Sequence, residues 1–181
     1  FTETNTWDGD KQLTEETTRN FGSQHLKLWS YRANGTLSQL DVYEDFNGSG
    51  HWNRNNRYQY DEAGNQTQYK QDQPYDGMFN WQEDSTYNAQ SKRLTQIATN
   101  LNSQTQSINK AWAYDADGNQ LLEVNNLTEQ RTESTYDSDG QIIIQEWFNG
   151  DGSVRLTYAY EYTASGKPLL QTTDHDGDGV P

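Results

Sequence analysis

Near the C-terminus three aspartates stand at alternate positions, Asp174, Asp176 and Asp178, in the run DHDGDGVP. Carboxylates at positions 1, 3 and 5, with Gly179 at position 6, match the opening of a twelve-residue calcium loop, in which oxygens meet a hard cation and glycine permits the sharp turn. Val180 would supply the backbone carbonyl of position 7. The bidentate acid of position 12 falls past Pro181, so the Ca2+ site is incomplete in these residues and weak affinity is expected of them. Two readings stay open: the start of a calcium-binding linker in a longer protein, or a flexible acidic tail.

Other acidic stretches carry a different signature. DADG from Asp115 and DSDG from Asp137 put glycine fourth, not sixth, and fall where the chain must reverse. Asp115 and Asp117 therefore read as turn residues and not as metal ligands. His25, His51 and His175 lack any H-x-x-x-H spacing, and the sequence holds no G-x-S-x-G elbow and no phosphate-cradling glycine loop. Adjacent acids such as Glu15 with Glu16, or Glu44 with Asp45, point to opposite faces of a strand and cannot share one reaction centre. Glu83 and Glu123 could lie on an inner face, which leaves a glycan-acting hydrolase as the remote reading and a noncatalytic protein as the expected one. Aromatic side chains offer a binding chemistry instead, because Trp and Tyr carry large apolar faces with a polar handle and can stack on sugar rings. His51, Trp52, Trp81 and Trp147 lie nearest the expected loops and form the candidate ligand-binding set of a carbohydrate-binding module, with core filling as the competing role.

The elements that must position these residues repeat. YRANGTL starts at Tyr31, YDEAGNQ at Tyr60, YNAQSKR at Tyr87, YDADGNQ at Tyr114, YDSDGQI at Tyr136 and YTASGKP at Tyr162, and WDGDKQL at Trp7 is a shortened seventh copy. Successive anchors lie 22 to 29 residues apart, the length of two strands and two turns. Before each anchor the side chains alternate with a period of two: Val154, Leu156, Tyr158, Tyr160 and Tyr162 share one face, as do Trp52, Arg54, Asn56, Tyr58 and Tyr60. Trp29, Tyr58, Trp112 and Tyr160 stand two positions before an anchor, which predicts aromatic stacking between neighbouring strands. After each anchor a four-residue loop ends at Gly35, Gly64, Gly118, Gly140 or Gly166, with Ser91 in the exceptional copy. A type I turn followed by a left-handed residue closes hairpins of this length, and glycine adopts that conformation without a Cβ clash. Thr, Asn and Gly interrupt every stretch long enough for a helix. The expected fold is all-β: an antiparallel meander of about 14 strands from about 7 hairpin repeats, closed into a wide barrel or rolled into a shell.

Composition agrees with a sheet that lacks a thick aliphatic core. Leu, Ile, Val and Phe number 27 among 181 residues, about 15%, and the formal net charge is −14; such values mark disordered chains. The 12 Tyr and 6 Trp reverse that expectation, because aromatic rings bury large areas and disordered chains are poor in them. No window approaches 18 consecutive apolar residues, so membrane insertion is not expected. The 13 basic residues form no run or stripe, which argues against nucleic acid as a partner. Without cysteine there is no disulfide framework. The chain divides into a hairpin-repeat domain, 1–171, and an acidic Asp/Gly-rich linker or truncated calcium loop, 172–181.

The copies resemble the YD repeats of the Rhs family, whose units read approximately Y-D-x-x-G-N-x-L followed by a second strand. Tyr60, Asp61, Gly64 and Asn65, and Tyr114, Asp115, Gly118 and Asn119, carry the likeness best, followed by Tyr136, Asp137 and Gly140. Arg32, Asn88 and Thr163 stand where the motif has Asp. The resemblance implies a curved β-shell that encloses or displays other parts of a large secreted or cell-surface bacterial protein. The C-terminal aspartates are similar to the calcium repeats of thrombospondin type 3. Together these imply a scaffold or interaction domain at an extracellular, cell-surface or periplasmic location. Its partners would be other domains of the same protein, a polysaccharide or a cell-surface protein.

Overall fold

A computed structural model describes residues 2–18 and 22–175. The first half of the chain forms β1 (Thr2–Asp8), β2 (Lys11–Thr18), β3 (Gln24–Tyr31), β4 (Leu37–Asp45), β5 (Arg54–Tyr60), β6 (Gln66–Asp72) and β7 (Trp81–Tyr87). The second half forms β8 (Arg93–Asn100), β9 (Thr105–Tyr114), β10 (Gln120–Asn125), β11 (Gln130–Tyr136), β12 (Ile142–Phe148), β13 (Val154–Tyr162) and β14 (Pro168–Asp174). No α-helix occurs among the described residues. Strand order in the sheet follows sequence order from β1 to β14, which is the meander the repeats predict. Among the described residues β1 pairs only with β2, and β14 only with β13, so the wide closed barrel is not formed. Closure would have to cover β1, whose seven residues are all exposed.

Contacts gather the chain into two units, one made of 1–87 with 97–107 and the other of 88–96 with 108–181. In both, every tyrosine anchor ends an odd-numbered strand, and the loop behind it opens an even-numbered one; Trp7 lies one residue before the end of β1. Gly35, Gly64, Gly118, Gly140 and Gly166 have φ between +75° and +88°, and Ser91 takes the same conformation at +59°. The register slips by one residue at the anchor in most copies, between Gln59 and Tyr60 or Thr135 and Tyr136 for example. These are the bulges that a type I turn with a left-handed residue requires.

Ala98 is the one buried apolar side chain among the described residues. Cohesion comes from half-buried rings. Tyr58 and Tyr69 are cross-strand partners with centroids 5.1 Å apart, and Tyr43 lies 5.8 Å from Trp52 and 6.1 Å from Tyr75. In the second unit Trp147 meets Tyr158 edge-on at 6.1 Å, and Tyr158, Tyr160 and Tyr162 stack along β13 itself at 6.2 and 6.5 Å. The stacking between neighbouring strands expected from the spacing occurs at Tyr58 with Tyr69 and at Trp147 with Tyr158, but among the described residues anchor-strand rings do not meet one another across the sheet. Anchor strands are all odd-numbered, so an even strand always intervenes: the cross-strand row from Trp29 runs through Leu40 before reaching Tyr58. Burial pushes the phenols of Tyr58, Tyr60 and Tyr69 above their ordinary values, and they stay neutral donors at physiological pH.

Candidate functional site

The loop behind each anchor is a small machine built from three residues. In the second copy Asp61 donates its backbone N–H to the Asn65 carbonyl at 2.9 Å, and the Asp61 carbonyl accepts from Gly64 at 3.2 Å. The Asp61 carboxylate then accepts from the Asn65 backbone N–H at 2.8 Å and from its side-chain amide at 2.9 Å. Asp115 and Asn119 repeat the clamp at 2.8 Å for both bonds, and Asp137 with Gln141 repeats it at 2.8 and 3.1 Å. That geometry explains why D and N stand four residues apart. The asparagine amide and the loop amides hold the Asp61 and Asp115 carboxyls below the usual carboxylate range. Where Asp is replaced, Asn88 and Thr163 still accept the N–H of Lys92 and Lys167 through side-chain oxygens, at 2.9 and 3.1 Å.

A second device joins consecutive hairpins. The anchor hydroxyl donates to a backbone carbonyl at the start of the preceding even strand: Tyr31 to Gln12 at 3.0 Å, Tyr87 to Gln66 at 3.0 Å, Tyr136 to Gln120 at 2.9 Å and Tyr162 to Ile142 at 2.8 Å. In three of the four, the acceptor lies two residues beyond the loop glycine. The Tyr60 copy differs because Arg32 has taken its acceptor. Arg32 Nη1 donates to the Leu37 carbonyl at 2.8 Å and to the Asp61 carbonyl at 3.0 Å, and Nη2 donates to the Tyr60 carbonyl. One guanidinium thus takes the place of the latch, while Asn34 Oδ1 holds the Thr36 N–H within the loop at 3.0 Å.

At the opposite ends of the hairpins, strand-terminal acids hold the return turns. Asp45, 1% exposed, accepts from the backbone N–H groups of Asn47, Gly48, Ser49 and Gly50 at 2.8–3.3 Å. Burial alone would raise its pKa, and these four amides outweigh it and hold the carboxyl below the usual range. Asp72, also 1% exposed, accepts from Asp76 and Gly77 at 3.2 and 2.9 Å. From the sequence, Asp45 is weighed only as one of an adjacent acidic pair and Asp72 is not singled out, although acid followed by a Gly/Asn or Pro/Gly cluster is the readable signal.

Asp174 occupies the same place. It closes β14 opposite Thr157 and is 9% exposed, so the strand runs three residues past the 171/172 boundary drawn from the sequence. Asp176, Asp178 and Val180 lie outside the described residues. Among the described residues no group of three or more His, Asp or Glu side chains has metal-ligand geometry. Of the candidate ligand-binding residues, His51, Trp52 and Trp81 belong to the first unit and Trp147 to the second. His51 sits exposed in the β4–β5 turn, where its N–H meets Ser49 Oγ at 3.2 Å. Trp52 is half-buried against Tyr43, and Trp81 opens β7 opposite Gln71. Trp147, in the second unit, borders a hollow of about 220 Å3 with Arg155 over its ring.

No family model matches this sequence, and no curated protein does. Solved structures do. In the crystal structure of TcdB2-TccC3-Cdc42 the similarity covers 91% of this chain at a TM-score of 0.55 and 12% identity. The Photorhabdus luminescens Tc holotoxin pore with the TccC3 D651A mutation covers 96% at a TM-score of 0.41 and 16% identity. The chain spans 11% of the length of either match. At such identities the first likeness is one of fold alone: an antiparallel hairpin-repeat sheet of the YD type within a much longer polypeptide.

Proposed function

We propose that the chain is a noncatalytic scaffold section of a larger extracellular or cell-surface protein, built as YD-like hairpins that other hairpins continue on both sides. The observation that carries this reading is the latch between repeats. In four of the six tyrosine copies the anchor hydroxyl of one hairpin fixes the strand start behind the loop of the one before it, so such a hairpin is complete only beside its neighbour. The terminal strands show what an unpartnered hairpin leaves open. Trp7, the first anchor, is 57% exposed, and Leu169 in β14 is 65% exposed. Pro168 lies two residues beyond Gly166, the register place whose carbonyl accepts an anchor hydroxyl at Gln66, Gln120 and Ile142. Partners in this reading are further parts of the same polypeptide. The acidic run from Asp174 to Val180 is carried in it as a Ca2+-holding linker, with Asp174 also placed, like Asp45 and Asp72, to hold a return turn.

The test is to append a second copy of residues 149–174 directly after Asp174. An interior role for β14 predicts a higher thermal midpoint and slower amide exchange along Pro168–Asp174. An unchanged midpoint with unchanged exchange would overturn the reading.

A further inference from the structure

The hollow beside Trp147 has a chemistry unlike the rest of this acidic chain. Strands β9 to β13 bring Lys110, Glu123, Arg131, Trp147, Phe148 and Arg155 around about 220 Å3. Three of the 13 basic residues meet there, although the net charge is −14. Lys110 is held by Glu123 at 2.7 Å, and Arg131 gives its Nε to Glu133 at 2.6 Å. Arg155 forms no ion pair among the described residues. With Glu123 and Glu133 set against the three cations, one positive charge is left unmatched.

Ring contacts fix where those cations point. The Arg155 guanidinium lies 5.2 Å from the Trp147 ring centre, and that of Arg131 lies 3.8 Å from the ring of Phe148, its register partner. A guanidinium held beside an aromatic ring by this attraction keeps N–H groups that can pair with a planar carboxylate. Trp147 thus stands as a platform for the Arg155 guanidinium. The amides of Asn125 and Gln130 complete the wall; their oxygens accept from the Leu127 N–H and the Thr128 hydroxyl, and each NH2 carries two donors.

We propose that this hollow binds a uronate, the carboxylated sugar unit of an acidic glycan. Its volume is below the roughly 300–1,000 Å3 typical of sites for drug-sized ligands, which suits a single ring. The carboxylate pairs with the free fork of Arg155, and the ring hydroxyls exchange hydrogen bonds with the amides. A neutral sugar leaves the surplus charge unmatched, and an acidic peptide side chain leaves the amides without hydroxyl partners. The inference goes beyond the scaffold reading and does not rest on it, so either can fail alone.

The experiment titrates the full chain, 15N-labelled, with sodium glucuronate while following the Trp147 indole N–H resonance, assigned by its loss in Trp147→Phe. Glucose, sodium acetate and a poly-glutamate peptide are the comparison ligands. The proposal expects a saturable shift with glucuronate and none with glucose, with at most a weak linear drift from acetate or the peptide. Arg155→Gln should weaken glucuronate binding about ten-fold, the loss of one charge-assisted bidentate contact, with unchanged far-UV circular dichroism. Lys167→Gln, which removes a positive charge elsewhere, should bind as the parent does. Absence of a saturable shift, an equal response to glucose, acetate or the peptide, or an equal loss from Arg155→Gln and Lys167→Gln would each overturn it.

Discussion

A carboxylate in the YD loop does more than favour a turn. At Asp61 and Asp115 one oxygen fixes a backbone N–H four residues on, and the other fixes the side-chain amide of the same asparagine. Both carboxyls are held below the ordinary value near 3.9, so their contribution to stability is complete above that pH and falls away as acid drops through the depressed folded values. The chain should therefore lose thermal stability below about pH 4. The double variant Asp61→Asn with Asp115→Asn should be less stable at neutral pH and flatter in acid, as thermal midpoints taken across that range would read. Much of this was legible, since the spacing of Asp, Gly and Asn marks the turn. The reach of Arg32 was not. A residue that replaces an acid with a base reads locally as a departure from the motif, and its partners at Tyr60 and Asp61 are a whole repeat away. The same distance hid Lys110, Arg131 and Arg155 from sequence reasoning, because they come from three different strands and share no spacing.

At the scale of the hairpin, the alternation of side chains and the loop glycines gave the number and order of the strands, because each tyrosine anchor ends an odd strand. Aromatic contact between neighbouring strands occurs at Tyr58 with Tyr69 and at Trp147 with Tyr158, with the partner ring on the even strand and not on another anchor strand. A period of two assigns a residue to a face, but which rings touch depends on the strand between them. The anchor positions themselves carry no trace of the hydroxyl latch beyond the choice of Tyr over Phe. Arg32 offers a way to weigh that junction. It donates to carbonyls on both sides of the β4–β5 register, and Arg32→Ala leaves these acceptors to water. A cost of about 1–2 kcal/mol is expected in urea unfolding, in line with lost hydrogen bonds to a charged donor. Arg32→Lys should recover only part of it, since an ammonium cannot span the same carbonyls in a fixed fork.

For the molecule as a whole, the deficit of aliphatic side chains is the governing fact. With Ala98 alone fully buried among the apolar side chains of the described residues, the hydrophobic term rests on half-covered rings, and direction comes from hydrogen bonds that recur with the repeat. Such a chain is held laterally, hairpin to hairpin, which fits a scaffold in which each unit needs its neighbours. The acidic surface outside the hollow at Trp147 accords with solubility at the cost of self-repulsion. The direct measurement is urea unfolding of two variants that each replace only anchor hydroxyls. One carries Tyr31→Phe, Tyr87→Phe, Tyr136→Phe and Tyr162→Phe, which removes four latches; the other carries Tyr60→Phe and Tyr114→Phe, for which no hydroxyl latch is seen among the described residues. At about 0.5–1.5 kcal/mol for each lost bond, the first should fall by several kcal/mol and the second should change little. Equal stability of the two variants would contradict the account.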